Sequence, residues 1–234
     1  MIIIFMLPYL SKIMKQFFYI ILFLHLISAC QDRGGIKLSN DVRWVTQSIE
    51  YTSICEQIYN SAKLVLHDQF EGVDRPVIVM DLDETVLNNA QYQVELFETS
   101  EKYNPTSWNA WVNKELATAV PGAKSFILDF KDKYKGLIVF ISNRDASTIK
   151  ATRNNLDNLG LLFEDDIFLL RKDKKDTKIV RRNEVLEGVG RMEGYGPNSV
   201  LAYFGDQIGD FPNDTSFVFS LNKFMFPNPM YGKW

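Results

Sequence analysis

The sequence has few cysteines, no excess of positive charge and no apolar run of comfortable membrane-spanning length. It contains 234 residues and two cysteines, of which Cys30 closes an N-terminal apolar segment and Cys55 stands alone beyond it, so no internal disulfide is expected there. The net charge of -3 gives no general attraction to nucleic acid or anionic membranes. Internal repeats and low-complexity tracts are missing. An anionic partner must therefore be a small molecule held by a local site, and a nucleic acid polymer is not expected.

The overall composition is typical of a globular protein. Hydrophobic residues make up 46% and charged residues 24% of the chain, which is enough apolar material for a core. Beyond the first thirty residues roughly two hundred are left, a length typical of one domain with a modest insertion. One basic run, residues 171–182, stands out, and for most of its lysines we expect a solvated surface.

Residues 1–30 have the pattern of an export signal. Lys15 is followed by an apolar stretch, residues 17–27, and by small residues before Cys30. A spanning helix needs about 20 apolar residues, more than this stretch offers, although residues 1–10 could lengthen it into an uncleaved anchor helix. Translation starting at Met14 is a further possibility. The pattern predicts a signal peptide over residues 1–30.

The end of this signal, residues 27–30, resembles the lipobox of bacterial lipoproteins. The resemblance implies that the Cys30 thiol is acylated, and more than one acyl chain would anchor the protein firmly in a membrane. Gln31 after the cysteine resembles the sorting choice for the outer membrane. The polar residues 31–40 with their Gly-Gly pair are then a tether. We therefore expect an exported bacterial lipoprotein of the outer membrane.

The rest of the chain, residues 41–234, alternates helical and strand patterns. Residues 41–70 carry apolar side chains at helical spacing and predict one long helix or two. Short continuous apolar runs are typical of strands buried on both faces, and they occur at residues 77–80, 137–141, 167–170, 200–204 and 217–221. The alternation predicts an α/β fold, a Rossmann-like parallel sheet flanked by helices. Residues 88–120 interrupt it and predict a small cap inserted after the first strand.

Polar residues follow three of the predicted strands, at residues 81–85, 142–144 and 205–210. The carboxyl ends of parallel strands form the usual ligand site of such a sheet. Asp81, Asp83, Asp206 and Asp210 would meet there, and their repulsion needs a cation to compensate it. Magnesium suits oxygen ligands of this kind. Any single acidic pair could instead belong to a turn or a helix cap.

The motif DLDET at residues 81–85 resembles the first motif of the haloacid dehalogenase superfamily. Within that superfamily the sequence is most similar to the class C bacterial acid phosphatases, the outer-membrane lipoprotein 5'-nucleotidases. The resemblance covers nearly all of the chain after Cys30 and rests on the segments DLDETVLNN, SWNAWV, PGA, ISNR, RKDK, GDQIGDF and FPNPMYGKW. It implies the fold of that superfamily and a phosphomonoester substrate.

The resemblance also implies roles for the acidic residues. Asp81 would attack phosphorus and become an aspartyl-phosphate, while Asp83 would protonate the leaving group and later deprotonate water. Magnesium would be bound by Asp81, by the backbone carbonyl of Asp83 and by Asp206, with Asp210 acting directly or through water.

Further site residues follow from the same resemblance. Ser142 and Asn143 would donate hydrogen bonds to the phosphoryl group, and a lysine of the basic run would balance its charge. Lys178 is favoured because its distance from Arg181 resembles the family spacing and because it begins a predicted helix. Lys175 remains the alternative.

Two tyrosines occupy positions that resemble the base-stacking positions of the family. Tyr231 lies in the C-terminal motif and Tyr103 in the predicted cap, so that a planar base could be held between them. The alternative is that both rings pack the cap onto the core, the interpretation preferred for Trp108 and Trp111.

Together these features predict a magnesium-dependent acid phosphatase that hydrolyses 5'-nucleotides and nicotinamide mononucleotide through an aspartyl-phosphate. The alternative is a surface lipoprotein that keeps the fold as a non-catalytic binding module. This alternative draws on the end of the sequence at Trp234, where family members usually continue. A third possibility is phosphate transfer to an alcohol instead of water.

Overall fold

The computed structural model describes residues 37–232. The predicted signal peptide, Cys30 and most of the predicted tether lie outside this range. Among the helices within it, none combines the length and the apolar character that crossing a membrane requires.

The described chain begins with two helices, α1 (Asn40–Gln47) and α2 (Ile49–Phe70). Ser48 separates them, because its backbone is extended and its Oγ accepts a hydrogen bond from the Tyr51 N–H at 3.1 Å, which caps α2. The second of the two predicted arrangements, a pair of helices, is therefore the one observed. Cys55 on α2 is fully buried.

Seven strands follow in two sheets. They are β1 (Val77–Met80), β2 (Leu87–Asn88), β3 (Thr118–Ala119), β4 (Leu137–Asp145), β5 (Ile167–Arg171), β6 (Val200–Gly205) and β7 (Lys223–Met225). The main sheet has the order β5-β4-β1-β6-β7, and every neighbouring pair in it is parallel. The predicted α/β fold with a parallel sheet is confirmed.

Helices cover both faces of this sheet. They are α3 (Ala90–Thr99), α4 (Pro105–Val112), α5 (Ala123–Tyr134), α6 (Ile149–Asn158) and α7 (Lys178–Glu187). Side chains alternate along β1, so that Ile78 and Met80 belong to the core cluster shared with α2 and α5, while Val77 and Val79 pack with Val185 of α7. Burial on both faces explains why the strand sequences are continuous apolar runs.

The segment predicted as a cap, residues 88–120, contains α3 and α4. Its two ends pair as the antiparallel strands β2 and β3. Asn104 starts α4 by accepting a hydrogen bond from the Ser107 N–H at 2.9 Å, and Pro105 occupies the first helical position. The segment therefore leaves and re-enters the domain at one place, just after β1.

The strand predicted at residues 217–221 is wrong, because the last strand is β7, a few residues later. The Val218 carbonyl accepts hydrogen bonds from the N–H groups of Leu221, Asn222 and Lys223, which folds the predicted segment into turns. Ser220 has a φ of 67°, a left-handed conformation that an extended strand does not contain. The apolar side chains of this segment are largely exposed, so their hydrophobicity did not indicate strand burial.

Candidate active site

The sheet order brings the three predicted polar segments to one edge. Strand β1 lies between β4 and β6, so Asp81 after β1 is flanked by residues at the carboxyl ends of both neighbours. The Asp81 N–H donates to the Phe204 carbonyl at 2.9 Å, which continues the β1–β6 ladder up to the acidic residues. The site therefore stands at the position that parallel sheets commonly use for ligands.

Asp81, Asp206 and Asp210 form a buried acidic trio. One carboxylate oxygen from each lies within 4.8 Å of the others. Asp81 Oδ1 is buried and forms an ion pair with the Lys178 ammonium. Asp210 Oδ2 accepts from the N–H groups of Asp206 and Gln207 at 3.1 and 2.9 Å, which fixes its side chain inside the loop after β6.

Gly205 makes room for this loop. A Cβ at this position would lie 2.3 Å from the Asp210 Cβ, closer than real contacts allow. The Asp210 side chain therefore folds back against a position that only glycine can occupy without displacement.

Lys178 is the cation that contacts this trio. Its Nζ lies 2.7 Å from Asp81 Oδ1 and also donates a hydrogen bond to Asp210 Oδ1. Burial alone would lower the pKa of Lys178, but the Asp81 and Asp210 carboxylates outweigh it and raise that pKa to about 12. The side chain is 10% exposed. Lys175, the alternative from the sequence, is an exposed residue.

The donor set of the trio fits a divalent cation. Three buried carboxylates face one ammonium group, and burial followed by repulsion from Asp210 raises the pKa of Asp206 to about 7. Burial likewise raises the pKa of Asp81 well above its usual range, although Lys178 opposes it. A hard cation with oxygen ligands would remove this repulsion, and the three carboxylates offer it oxygens that lie within 4.8 Å of one another.

The Asp83 side chain does not belong to the acidic trio and is held by Arg144 instead. Asp83 Oδ1 accepts hydrogen bonds from Arg144 Nε at 2.9 Å and from Asn89 Nδ2 at 3.0 Å, and Arg144 Nη2 lies 2.8 Å away. Asp83 Oδ2 accepts from Ser142 Oγ at 3.2 Å. The structure thus gives two neighbouring carboxylates different partners: an ammonium for Asp81 and a guanidinium for Asp83.

The two predicted phosphate-binding residues differ in their surroundings. Ser142 is fully buried, and its hydroxyl donates to Asp83 and accepts from the Arg144 N–H at 3.1 Å. Asn143 faces the cavity, and its Oδ1 accepts from Arg181 Nη2 at 2.7 Å, which leaves the Asn143 amide N–H donors for a ligand. Of the two, Asn143 is the side chain presented to the cavity.

Arg181 organises the ends of β4 and β5 from within the protein. It is fully buried and donates to the carbonyls of Ser142 and Leu169 as well as to Asn143. Burial lowers the pKa of Arg181 to about 10. The sequence indicated Arg181 only through its spacing from Lys178, and its structural role is to fix the residues beside Asp81.

A cavity of about 620 Å³ opens above these residues. Asp81, Asp83 and Lys178 lie in its wall, and the segment 88–120 contributes Tyr92 and Trp108 among others. Helix α1 also contributes to the wall, through residues such as Val42. The cavity is large enough for a substrate with a bulky leaving group.

Both predicted stacking tyrosines line this cavity. The Tyr231 hydroxyl donates a hydrogen bond to Glu84 Oε2, whereas Tyr103 is 59% exposed and its ring centroid lies 6.5 Å from that of Trp108. Trp111 is buried in the core and donates from Nε1 to Asn89 Oδ1 at 2.9 Å, which agrees with its interpretation as a packing residue. Trp108 packs edge-on against Tyr92 and also contributes to the cavity wall.

Glu84, Asn89 and Asn228 are site residues to which the sequence gave no role. Glu84 is buried at a φ of 56°, and its carboxylate accepts from the Asn89 N–H at 2.8 Å and from Asn89 Nδ2 at 3.2 Å. Burial and the nearby Asp83 raise the pKa of Glu84 to about 7. Asn228 contacts Asp206 from the C-terminal segment. Only the fold shows these contacts, since each partner is held in place by a different element.

Fold and site together are those of a phosphoric monoester hydrolase. Residues 29–234 match the family described as HAD superfamily, subfamily IIIB (acid phosphatase), and the chain belongs to this family. It is similar to the class C acid phosphatase of Bacillus anthracis, with 30% identity, a TM-score of 0.70 and coverage of 82% of this chain and 84% of that one. A structure of that phosphatase with tungstate bound gives 29% identity, a TM-score of 0.69 and the same coverage.

Plant proteins are also among the relatives. The stem 31 kDa glycoprotein of Glycine max is 29% identical over 192 residues, which are 75% of this chain and 69% of that protein. Vegetative storage protein 2 of Arabidopsis thaliana is 25% identical over 187 residues, 76% of this chain and 63% of that protein. Proteins named for storage as well as for phosphatase activity are thus similar to this chain.

Proposed function

We propose that this protein is a magnesium-dependent acid phosphatase that hydrolyses phosphomonoesters, 5'-nucleotides and nicotinamide mononucleotide among them, through an aspartyl-phosphate on Asp81. The observation that carries the proposal is the contact between Asp81 and Lys178 inside an acidic trio at the base of the cavity. The related phosphatase solved with tungstate, a tetrahedral oxyanion like phosphate, supports the same substrate chemistry.

Asp81 is the nucleophile in this mechanism. Its carboxylate attacks phosphorus, the bond to the leaving oxygen breaks, and an acyl phosphate forms on Asp81. Lys178 keeps its proton throughout the neutral range because the pKa of its ammonium is raised to about 12, so it offers a permanent positive charge beside the transferring group. The Asn143 amide can donate to a phosphoryl oxygen from the other side of the cavity wall.

Asp83 is the acid and base. It protonates the leaving alkoxide in the first step and accepts a proton from the hydrolytic water in the second. Arg144 and Ser142 hold this carboxyl group in place, beside but distinct from the nucleophile. Because Asp81 contacts Lys178 while Asp83 contacts Arg144 and Ser142, these two carboxyl groups can serve different chemistry although only one residue separates them.

Magnesium would be held by Asp81 and Asp206, by the Asp83 backbone carbonyl and by Asp210 directly or through water. When bound, it supplies positive charge that neutralises the phosphoryl oxygens in the transition state. The trio supports this assignment because one carboxylate oxygen of each residue lies within 4.8 Å of the others, and because its negative charge exceeds the single positive charge of Lys178.

The substrate proposal depends on the two tyrosines. The rings of Tyr231 and Tyr103 line the same cavity and offer faces for a planar base, a contact that contributes about 1–3 kcal/mol per stacked base. The volume of about 620 Å³ accommodates a nucleoside together with the phosphate.

The experiment is a phosphate-release assay on p-nitrophenyl phosphate and a panel of nucleoside monophosphates, with and without magnesium. We expect turnover that needs the metal and disappears in Asp81→Asn. The second candidate, a non-catalytic protein with this fold, is favoured by the storage proteins among the relatives. Correctly folded protein with no metal-dependent turnover on any substrate would establish it instead.

Export and lipid anchoring through Cys30 are proposed on the sequence pattern alone. Mass spectrometry of the protein purified from its native membrane should find Cys30 at the N-terminus, carrying acyl chains. Cys30→Ser should release the protein from the membrane fraction. Detection of an intact N-terminal segment would favour the uncleaved anchor helix.

A further inference from the structure

The last described segment, residues 226–232, here termed the C-terminal strap, crosses from the sheet to the cavity. It begins at Phe226, whose N–H donates to the Gly205 carbonyl at 2.9 Å. The Phe226 ring is buried, and its centroid lies 4.6 Å from that of Tyr59. The strap therefore starts from a fixed point in the core next to the acidic loop after β6.

Asn228, a residue of this strap, makes hydrogen bonds through both the oxygen and the nitrogen of its side-chain amide. Its Oδ1 accepts hydrogen bonds from the N–H groups of Met230 and Tyr231 at 3.1 and 3.4 Å, which closes a tight turn. Its Nδ2 donates to Asp206 Oδ2 at 2.7 Å. One planar group thus contacts the acidic trio on one side and fixes the backbone of Tyr231 on the other.

Tyr231 is fixed a second time at the far end of its side chain. Its hydroxyl donates to Glu84 Oε2, and Glu84 is itself held by Asn89. Asn89 also donates to Asp83. Two contacts therefore hold the Tyr231 ring in the cavity wall. Asn228 accepts a hydrogen bond from its backbone N–H, and Glu84 accepts one from its hydroxyl.

A turn cap alone does not account for Asn228. Capping the Met230 and Tyr231 N–H groups requires only Oδ1, as a serine or aspartate could provide. The amide N–H is directed at Asp206 Oδ2, and Asp206 Oδ1 accepts no hydrogen bond from the described residues. Outer hydrogen bonds of this kind orient metal-binding carboxylates and leave the second oxygen to the metal.

We propose that Asn228 is a positioning residue that connects the cation site to the Tyr231 ring. Metal affinity and recognition of a leaving group that carries an aromatic base then depend on the same side chain. The inference rests on the proposed metal site and adds to it a residue that does not touch the metal. It also predicts that nucleotides, and not small aliphatic phosphomonoesters, lose affinity when this residue is replaced.

The first measurement is a calorimetric titration of the full-length protein with magnesium chloride. Asn228→Ala should weaken magnesium binding by about 10- to 100-fold, the range for outer hydrogen-bonding partners of metal ligands. Asn213→Ala is the matched control, because Asn213 is exposed and makes no hydrogen bond among the described residues. Its magnesium affinity should equal that of the wild type.

The second measurement separates the two sides of the amide. At saturating magnesium, Asn228→Ala should raise KM for adenosine 5'-monophosphate severalfold while KM for glycerol phosphate stays unchanged. Asn228→Ser keeps an oxygen that can cap the turn but is too short to reach Asp206 in place of Nδ2. It should lose magnesium affinity like the alanine variant while KM for the nucleotide remains closer to the wild type.

Thermal melts of the metal-free proteins show whether each variant is folded before it is titrated. If folded Asn228→Ala and Asn228→Ser bind magnesium as tightly as the wild type, the inference is overturned while the proposed function stands. An equal rise in KM for both substrates would also overturn it. Wild-type protein that binds no magnesium would overturn the proposed metal site itself, and the inference with it.

Discussion

Lys178 Nζ lies 2.7 Å from Asp81 Oδ1, so the proposed nucleophile and the proposed charge-balancing lysine are in direct contact. The lysine begins α7 and the aspartate follows β1, and both side chains are largely withdrawn from solvent. A salt bridge of this kind is costly to break from one side, because the remaining charge is left buried and unpaired.

Replacing Lys178 tests which lysine serves the site. Lys178→Ala should lower kcat about 100- to 1000-fold, the usual effect of removing one group that stabilises transition-state charge. Lys175→Ala should leave kcat close to the wild type, because Lys175 is exposed. Steady-state assays on p-nitrophenyl phosphate measure both variants. The reverse ranking would assign the role to Lys175.

Replacing Asp83 tests the acid role through the leaving group. Asp83→Asn keeps the shape of the side chain but cannot donate a proton as an acid. We expect the formation of the aspartyl-phosphate to slow about 100- to 10,000-fold on nucleoside monophosphates and far less on p-nitrophenyl phosphate, whose leaving group needs little protonation, whereas hydrolysis of the intermediate should slow equally on both. Rapid-quench measurement of the phosphorylation step compares both substrates on one preparation. An equal fall in the phosphorylation rate on the two substrates would show that Asp83 is not the acid.

A methyl group at Gly205 should disturb the acidic loop. The Cβ of Gly205→Ala would meet the Asp210 Cβ at 2.3 Å, so either Asp210 or β6 must move. We expect a loss of about 1–3 kcal/mol in the free energy of unfolding and weaker magnesium binding. Gly209→Ala is the control in the same loop, since its Cβ would meet nothing within 4 Å. Urea unfolding and calorimetry should show no such loss for the control.

Asp176 should make the stability depend on pH. Burial alone would raise the pKa of Asp176, but hydrogen bonds from Arg191, at 2.9 and 3.1 Å, and from the Lys172 N–H outweigh it and hold that pKa below its usual value. A carboxyl group with a lowered pKa in the folded state stabilises the fold above its unfolded pKa of about 3.9, and this contribution is lost as the pH falls through the folded value.

The variant that measures this contribution is Asp176→Asn. It should reduce the free energy of unfolding by about 1–3 kcal/mol at pH 7, and the difference from the wild type should shrink as the pH falls below about 4. Asp132→Asn is the control, because the Asp132 side chain is 87% exposed. A difference for Asp176→Asn that stays constant from pH 7 to pH 3 would contradict the assignment.

The sequence predicted the central strands well because strands buried on both faces have continuous apolar sequences, which can be recognised locally. β1, β4, β5 and β6 each lie within or overlap a continuous apolar run, and the polar residues after three of these strands marked the edge where the site forms. The last strand was missed for the opposite reason. β7 is a short edge strand that begins with Lys223, and a more hydrophobic segment just before it forms turns.

Local sequence patterns could not predict which residues the site residues contact. The hydroxyl of Tyr231 and the carboxylate of Glu84 meet across 147 residues of sequence, and Arg144 reaches Asp83 across 61. The motifs indicated that these residues belonged near one site. Which residues pair depends on how the side chains pack above the folded sheet, and that packing is determined jointly by charge, burial and turn geometry.

Cys55 gives the domain a practical property. Its thiol is fully buried on α2 and burial raises the pKa of Cys55 to about 12, so it stays protonated and unreactive at ordinary pH. A cysteine introduced at Lys102, an exposed residue of the cavity wall, would then be the reactive thiol among the described residues. A fluorophore attached there could report ligand entry in a single-site labelling experiment.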